Sequence, residues 1–367
     1  MPRSVFFAFR DAPERRAALR APGSLDRYRL FGLDDIERRG AVVRHNLERN
    51  GPPPAWARAA GRALNGGLDA AGGLGGDFAS ILASRPEANA ADVVLSTVDT
   101  VGIPLLLLKR ARLIRPPLVY ASIGLPERLA RLRNERMRRL FRNALRAAET
   151  IVAYAPGEAD HLRAWIQADA PPVVFVPFGV DLAAFAPVRH RPPRDDVVSV
   201  GADPRRDFEL LAAVAARRPE LRFRVVAAAD RARSLGNLPA NVAVETDLRL
   251  EEVRDRLAGA RVVALPVREN SYSGATTVLL QAMALAKPVI VSRTEAISRG
   301  YALEDGANCR LVAPGDAGAL ERAIVETVTG ADAAASLGIR ARETVERGFS
   351  WERYTNALWE ILSAASA

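Results

Sequence analysis

The sequence predicts an α/β protein of two Rossmann-like domains, each a doubly wound parallel sheet. Three observations carry that prediction. Short β-branched or apolar runs alternate with longer segments of helical period, the signature of parallel strands covered by helices. The alternation occurs twice, and 367 residues exceed the about 250 to 300 at which single cores stop growing. A polar, proline-rich stretch, His190-Arg191-Pro192-Pro193-Arg194-Asp195, separates the two series and reads as a linker.

In the first half, strands are expected at Val5 to Phe9, Val42 to His45, Val93 to Ser96, Leu118 to Ala121, Ile151 to Tyr154 and Val173 to Val176. The second half repeats the pattern at Val197 to Val200, Arg222 to Ala227, Val242 to Glu245, Val262 to Leu265, Val289 to Ser292 and Arg310 to Val312. These runs are too short and too branched to be helices, and helical periods fill most of the gaps. Gly51 to Gly76, rich in glycine, proline and alanine, reads as a loop with one weak helix. Arg128 to Arg146 reads as one helix with eight arginines and a single acid, Glu135, over an apolar stripe from Leu132 to Leu145. Ser350 caps a terminal helix. The expected domains are therefore 1–185, 186–348 and a terminal helix at 349–367.

Composition narrows the classes. With 49% hydrophobic and 26% charged residues, the chain is an ordinary globular protein. A lone Cys309 cannot form an internal disulfide, and His45, His161 and His190 have no metal-ligand spacing, so a metal-free cytoplasmic protein is expected. The apolar stretch at the start stops at Phe9, too soon for an export signal, and the run Val101 to Leu108 is too short to cross a bilayer. The net charge of +9 is uneven: residues 1–185 carry 27 basic and 19 acidic side chains, residues 186–367 carry 25 and 24. Such asymmetry points the first half toward an anionic partner: a membrane surface, a lipid phosphate or an acidic acceptor. Nucleic acid fits poorly, because no known binding module and no aromatics interleaved with the arginines are present. Codon bias accounts equally well for 50 arginines among the 52 basic residues.

The stretch richest in chemistry follows the strand ending at Leu265: Ser273-Gly274-Ala275-Thr276-Thr277 opens a helix continuing through Gln281-Ala282-Met283-Ala284 to Lys287-Pro288-Val289-Ile290. Small and hydroxyl residues at a helix start leave backbone N–H groups and the positive end of the helix dipole open to a diphosphate. A plain capped helix would show the same pattern. The stretch resembles the C-terminal signature of family four retaining glycosyltransferases, where a Glu, seven residues and a second Glu precede Ala-Met-Ala and Gly-Lys-Pro-Val. Here Ser273 stands at the first Glu position and Gln281 at the second. The resemblance implies that Gln281 binds the donor ribose, as an amide can, and that Ser273 supplies part of the sugar or phosphate contact.

The likeness continues at Val198-Ser199-Val200-Gly201, followed by Arg205-Arg206-Asp207-Phe208 and a helix. Relatives place two cations there to clamp the donor pyrophosphate, which implies the same role for Arg205 and Arg206. Val173 to Asp181 resembles the family's linker strand, and the terminal helix resembles one that returns to the first domain. Gly23-Ser24-Leu25-Asp26 resembles the first loop that approaches the transferred group. After the strand at Leu118, where many relatives carry a His, the nearest polar side chain is Ser122. Asp99 and Glu269, beside Arg268, follow strand ends, where open α/β sheets bind ligands. Asp99 also reads as a helix N-cap.

The resemblance implies a GT-B fold, two Rossmann-like domains facing across an interdomain cleft. The implied activity is glycosyl transfer from a nucleotide diphosphate sugar to a hydroxyl acceptor with retention. Arg206, Ser122 and Glu269 are the catalytic candidates. Gly201, Arg205, Arg206, Arg268, Ser273, Gly274, Ala275, Thr276, Thr277 and Gln281 would bind the donor; Gly23, Ser24 and Asp99 belong to the acceptor side. No cofactor is expected, the nucleotide sugar being a co-substrate, and contact with the inner face of a membrane would run through Arg128 to Arg146. Another GT-B activity, or a catalytically lapsed relative that binds nucleotide sugar or membrane, is compatible with the same residues.

Overall fold

The computed structural model describes residues 1–20, 25–49, 51–188, 194–272 and 274–367. The chain divides into two units, Met1–Val176 with Thr355–Ala367, and Pro177–Tyr354. These boundaries differ from the expected 185/186 and 348/349 because the segment after Pro177 is tied to the start of the terminal helix. The N–H of Val180 donates to Phe349 O and that of Trp351 to Val180 O, both at 2.9 Å. The Phe178 ring packs against Tyr354 and edge-on against Trp351, at 4.9 and 5.8 Å between centroids. Gly179 has no room for a side chain, since a Cβ there would lie 2.6 Å from Ser350 O. The expected linker residues 190–193 lie outside the described residues. The helix Trp351–Ala365 continues from the second unit into the first, where the Arg39 guanidinium lies over the Trp359 ring.

In the first unit six parallel strands, β1 (Ser4–Ala8), β2 (Val42–His45), β3 (Val93–Ser96), β4 (Leu118–Ser122), β5 (Thr150–Ala153) and β6 (Val173–Phe175), pair in the order β2-β1-β3-β4-β5-β6. The interior strands β3 and β4 are buried at every residue, as continuous apolar runs covered on both faces must be. Two expectations are corrected here. The stretch at 51–76 contains a regular 16-residue helix, Ala55–Ala70, packed on the helix Phe78–Ala83. Gly61 permits that approach: a Cβ there would lie 3.0 Å from Ala79 N. The arginine-rich segment is not one helix but two, Leu125–Leu129 and Glu135–Leu145, the second started by Asn134, whose Oδ1 accepts the Arg136 N–H at 2.8 Å.

In the second unit β7 (Asp195–Val200), β8 (Phe223–Ala227), β9 (Val242–Thr246), β10 (Ala260–Leu265), β11 (Val289–Ser292) and β12 (Arg310–Val312) form a parallel sheet ordered β12-β11-β10-β7-β8-β9. The strand order reverses between β7 and β10, the place where open α/β sheets bind ligands beyond the strands' carboxyl ends. The core between this sheet and its helices gathers Val197, Phe208, Leu211, Phe223, Val262 and Ile290.

Candidate functional site

The loops leaving β7 and β10 pair with each other. Arg206 and Val267 form an antiparallel bridge, Asp207 N–H donates to Pro266 O at 2.9 Å, and Arg268 N–H donates to Arg205 O at 2.8 Å. Asp207 then caps the helix Phe208–Arg217, its Oδ1 accepting the Leu210 N–H at 3.2 Å. The backbone of Arg206 is thereby fixed on both sides. Its side chain crosses Gly201 so closely that a Cβ there would lie 2.2 Å from Nε, which is why that position is glycine. Arg206 is 1% exposed, and neither terminal guanidinium nitrogen has a hydrogen-bond partner among the described residues. Burial pushes its pKa down to about 10, partly opposed by the nearby Asp203 carboxylate. It stays charged at neutral pH. A buried cation with open N–H groups is costly unless an anion completes it.

The second part of the site is the turn before the helix Thr276–Ala284, whose N-cap Ala275 offers no side-chain cap. The first N–H groups of that helix are left open to a ligand. Thr276 is buried with no partner for Oγ1 among the described residues, and the same holds for Oδ1 of Asn270. Asp203 joins the two parts. Its carboxylate accepts the Arg205 N–H at 2.7 Å and the Tyr272 hydroxyl at 2.9 and 3.0 Å, and a Cβ on Gly274 would lie 3.4 Å from its Cγ. Burial raises the Asp203 pKa against these hydrogen bonds. Gln281 lies farther along the same helix, 3% exposed.

The other predicted residues are placed differently. Arg205 is half-buried and Thr277 likewise. Arg268 is turned to Glu209 at 3.1 Å and Asp207 at 3.5 Å. Glu269 is exposed, and its Oε1 accepts the N–H groups of Asn270 at 3.2 Å and Glu295 at 3.0 Å. Both charges serve local structure here. Gly23, Ser24 and Ser273 lie outside the described residues. Asp203 and Tyr272 escaped the sequence reading because 69 residues separate them and neither belongs to a recognised pattern.

In the first unit two expectations change. Asp99 is not the N-cap of the helix Asp99–Arg110; Val98 is, and the Asp99 carboxylate accepts the Tyr120 hydroxyl and the Ile123 N–H. Burial raises its pKa to about 6, against the Tyr120 bond and Arg128 at 3.9 Å. Ser122 is wholly buried, and its hydroxyl donates at 2.7 Å to Oε1 of Glu158, which also accepts the Gly124 N–H at 2.7 Å. Ser122 therefore shapes the loop after β4 instead of presenting a hydroxyl to a ligand. Glu158 itself is fully buried with Oε2 unpartnered among the described residues, and burial raises its pKa to about 8. In sequence it reads as an ordinary acid in the first turn of the helix Pro156–Ile166.

Residues 182–329 match the family model described as "Glycosyl transferases group 1". The unit that holds Arg206 and the Gly274 turn thus carries a glycosyltransferase domain. No curated protein sequence matches the chain. Among solved structures, sucrose-phosphate synthase from Thermosynechococcus elongatus is similar at 19% identity and a TM-score of 0.73, covering 99% of this chain and 100% of that one. Anabaena HepE in complex with UDP and glucose is similar at 16% identity and a TM-score of 0.71, covering 98% and 99%. A glycosyltransferase from Rickettsia africae is similar at 12% identity and a TM-score of 0.64, covering 99% and 98%. The fold is that of the GT-B glycosyltransferases.

Proposed function

We propose that the chain transfers a sugar from a nucleoside diphosphate donor to a hydroxyl acceptor with retention, in the manner of family four glycosyltransferases. The buried Arg206 at the β7/β10 reversal, its two terminal guanidinium nitrogens without a partner among the described residues, is the observation that carries this reading. Arg206 and the start of the helix Thr276–Ala284 hold the diphosphate, and Gln281 takes the ribose hydroxyls. As the bond from the sugar's anomeric carbon to the diphosphate oxygen breaks, charge builds on that oxygen, and positioned donors stabilise it. The acceptor hydroxyl attacks from the same face and its proton passes to the leaving phosphate, so no protein base is required. Arg206 and the helix start are placed to supply the positive charge that a divalent metal supplies elsewhere. The UDP in the HepE complex supports a nucleoside diphosphate as the donor's leaving group. Incubation with a panel of nucleotide sugars, with released nucleotide as the readout, tests the proposal; silence across the panel with every acceptor class would refute it.

A peripheral contact with an anionic membrane at its cytoplasmic face accompanies this reading. Arg133, Arg136 and Arg139 are exposed at and along the helix Glu135–Leu145 and form no ion pair among the described residues. Each arginine near an anionic surface contributes about 1 kcal/mol. No helix among the described residues is long and apolar enough to cross a membrane.

A further inference from the structure

We propose that Asp203 is an anion built into the diphosphate site, which an arriving diphosphate neutralises, so that the donor binds together with one proton on that carboxyl group. This rests on the reading of Arg206 and the start of the helix Thr276–Ala284 as the diphosphate site, and adds what regulates it.

The carboxylate makes contacts of the kind a phosphate oxygen makes. Its Oδ1 accepts the Arg205 N–H at 2.7 Å, and the Tyr272 hydroxyl donates to Oδ1 at 2.9 Å and to Oδ2 at 3.0 Å. The positive charge of Arg206 acts on it from the same loop. Across from it stands the turn before the helix, where a Cβ on Gly274 would lie 3.4 Å from Oδ1. A carboxylate thus borders both the cation and the helix start, the two features that suit this place to a diphosphate. Arg205 and Arg206 are the charges that act on Asp203, and Tyr272 is the titratable group bonded to it. The other charges of these loops are engaged with one another, Arg268 with Asp207 and Glu209. Burial already outweighs the pull of both arginines and lifts Asp203 above its ordinary value. Like charges confined to one site favour the neutral form of one of them, so a bound diphosphate lifts Asp203 further. Between the free and bound values, binding takes up a proton from solvent, and affinity falls as pH rises through that window. The neutral carboxyl keeps its carbonyl oxygen for Arg205 and Tyr272, and its new O–H can donate to a phosphate oxygen.

The test uses the full chain and UDP-glucose, whose phosphates are both diesters and stay ionised from pH 5 to 8. Calorimetric titration across that range, in buffers of different ionisation enthalpy, reads affinity and proton uptake together. The wild type should take up a proton on binding and lose about tenfold in affinity toward the alkaline end, as a shift of one pKa unit requires. Asp203→Asn has the same shape and accepts the same bonds without charge; it should bind with no proton uptake, at an affinity that is flat with pH and above that of the wild type at pH 8. Tyr272→Phe removes a donor to the ionised form and should move the fall in affinity to higher pH. Binding without proton uptake in the wild type, or an Asp203→Asn variant with the wild-type pH profile, overturns the proposal and leaves the donor site standing. If neither UDP-glucose nor its guanosine and thymidine analogues bind the wild type at any pH, the donor reading itself fails and the proposal falls with it.

Discussion

Replacing Arg206 by methionine should make the protein more stable and unable to hold its donor. Burial lowers the Arg206 pKa from 12.5 to about 10, and each unit is worth about 1.4 kcal/mol, so the folded chain carries a cost of about 3 kcal/mol for keeping that charge. Below pH 10 both folded and unfolded chains are protonated there, so the cost is present in full at neutral pH. Methionine retains the unbranched stem that crosses Gly201 and removes the charge, and the expected net gain is about 1 to 3 kcal/mol. For a unit of this size that raises Tm by about 2 to 4 °C per kcal/mol. Loss of a charge-assisted bond of about 1.5 to 3 kcal/mol should weaken nucleoside diphosphate binding by roughly ten- to a hundredfold. Scanning calorimetry with and without diphosphate measures both effects. A variant that melts below the wild type and is still stabilised by diphosphate to the same degree would refute the reasoning.

Three further outcomes are expected. Gln281→Ala should weaken nucleoside and nucleoside diphosphate equally by calorimetric titration, since the ribose is its proposed partner; a loss confined to the diphosphate would relocate it. Since burial raises Glu158 from 4.5 to about 8, the folded chain keeps a proton that the unfolded chain releases between those values, so stability falls as pH rises through that window. Glu158→Gln should flatten this fall in Tm between pH 5 and 8, and parallel profiles would count against the buried acid. Charge reversal of Arg133, Arg136 and Arg139 together should abolish salt-sensitive sedimentation with phosphatidylglycerol vesicles; a wild type that ignores such vesicles at low salt removes the membrane contact.

The strands were readable because parallel strands buried on both faces are continuous apolar runs, as at Val93–Ser96 and Leu118–Ser122. The arginine-rich segment misled because Met137, Phe141 and Ala144 keep a helical spacing and the apolar Leu132 and the flanking arginines read as its continuation, across a break after which Asn134 starts a new helix. The place of Arg206 after Val200-Gly201 is visible in the sequence, but its burial is not, because that depends on the glycine it crosses and on pairing with Val267. Ser122 looked available from its position after a strand; only the distant Glu158 shows that its hydroxyl is engaged. Contacts between residues far apart in sequence, such as Asp203 with Tyr272, leave no periodic trace.

The central claim is most directly tested by turnover of nucleotide sugars by the purified chain in EDTA, with released nucleotide and the anomeric configuration of the product measured together. The account predicts nucleotide release that depends on acceptor, is unaffected by chelator, falls at least about tenfold in Arg206→Met and leaves the anomeric configuration of the donor unchanged. Turnover that vanishes in EDTA and returns with manganese, or that is the same in Arg206→Met as in the wild type, would contradict it.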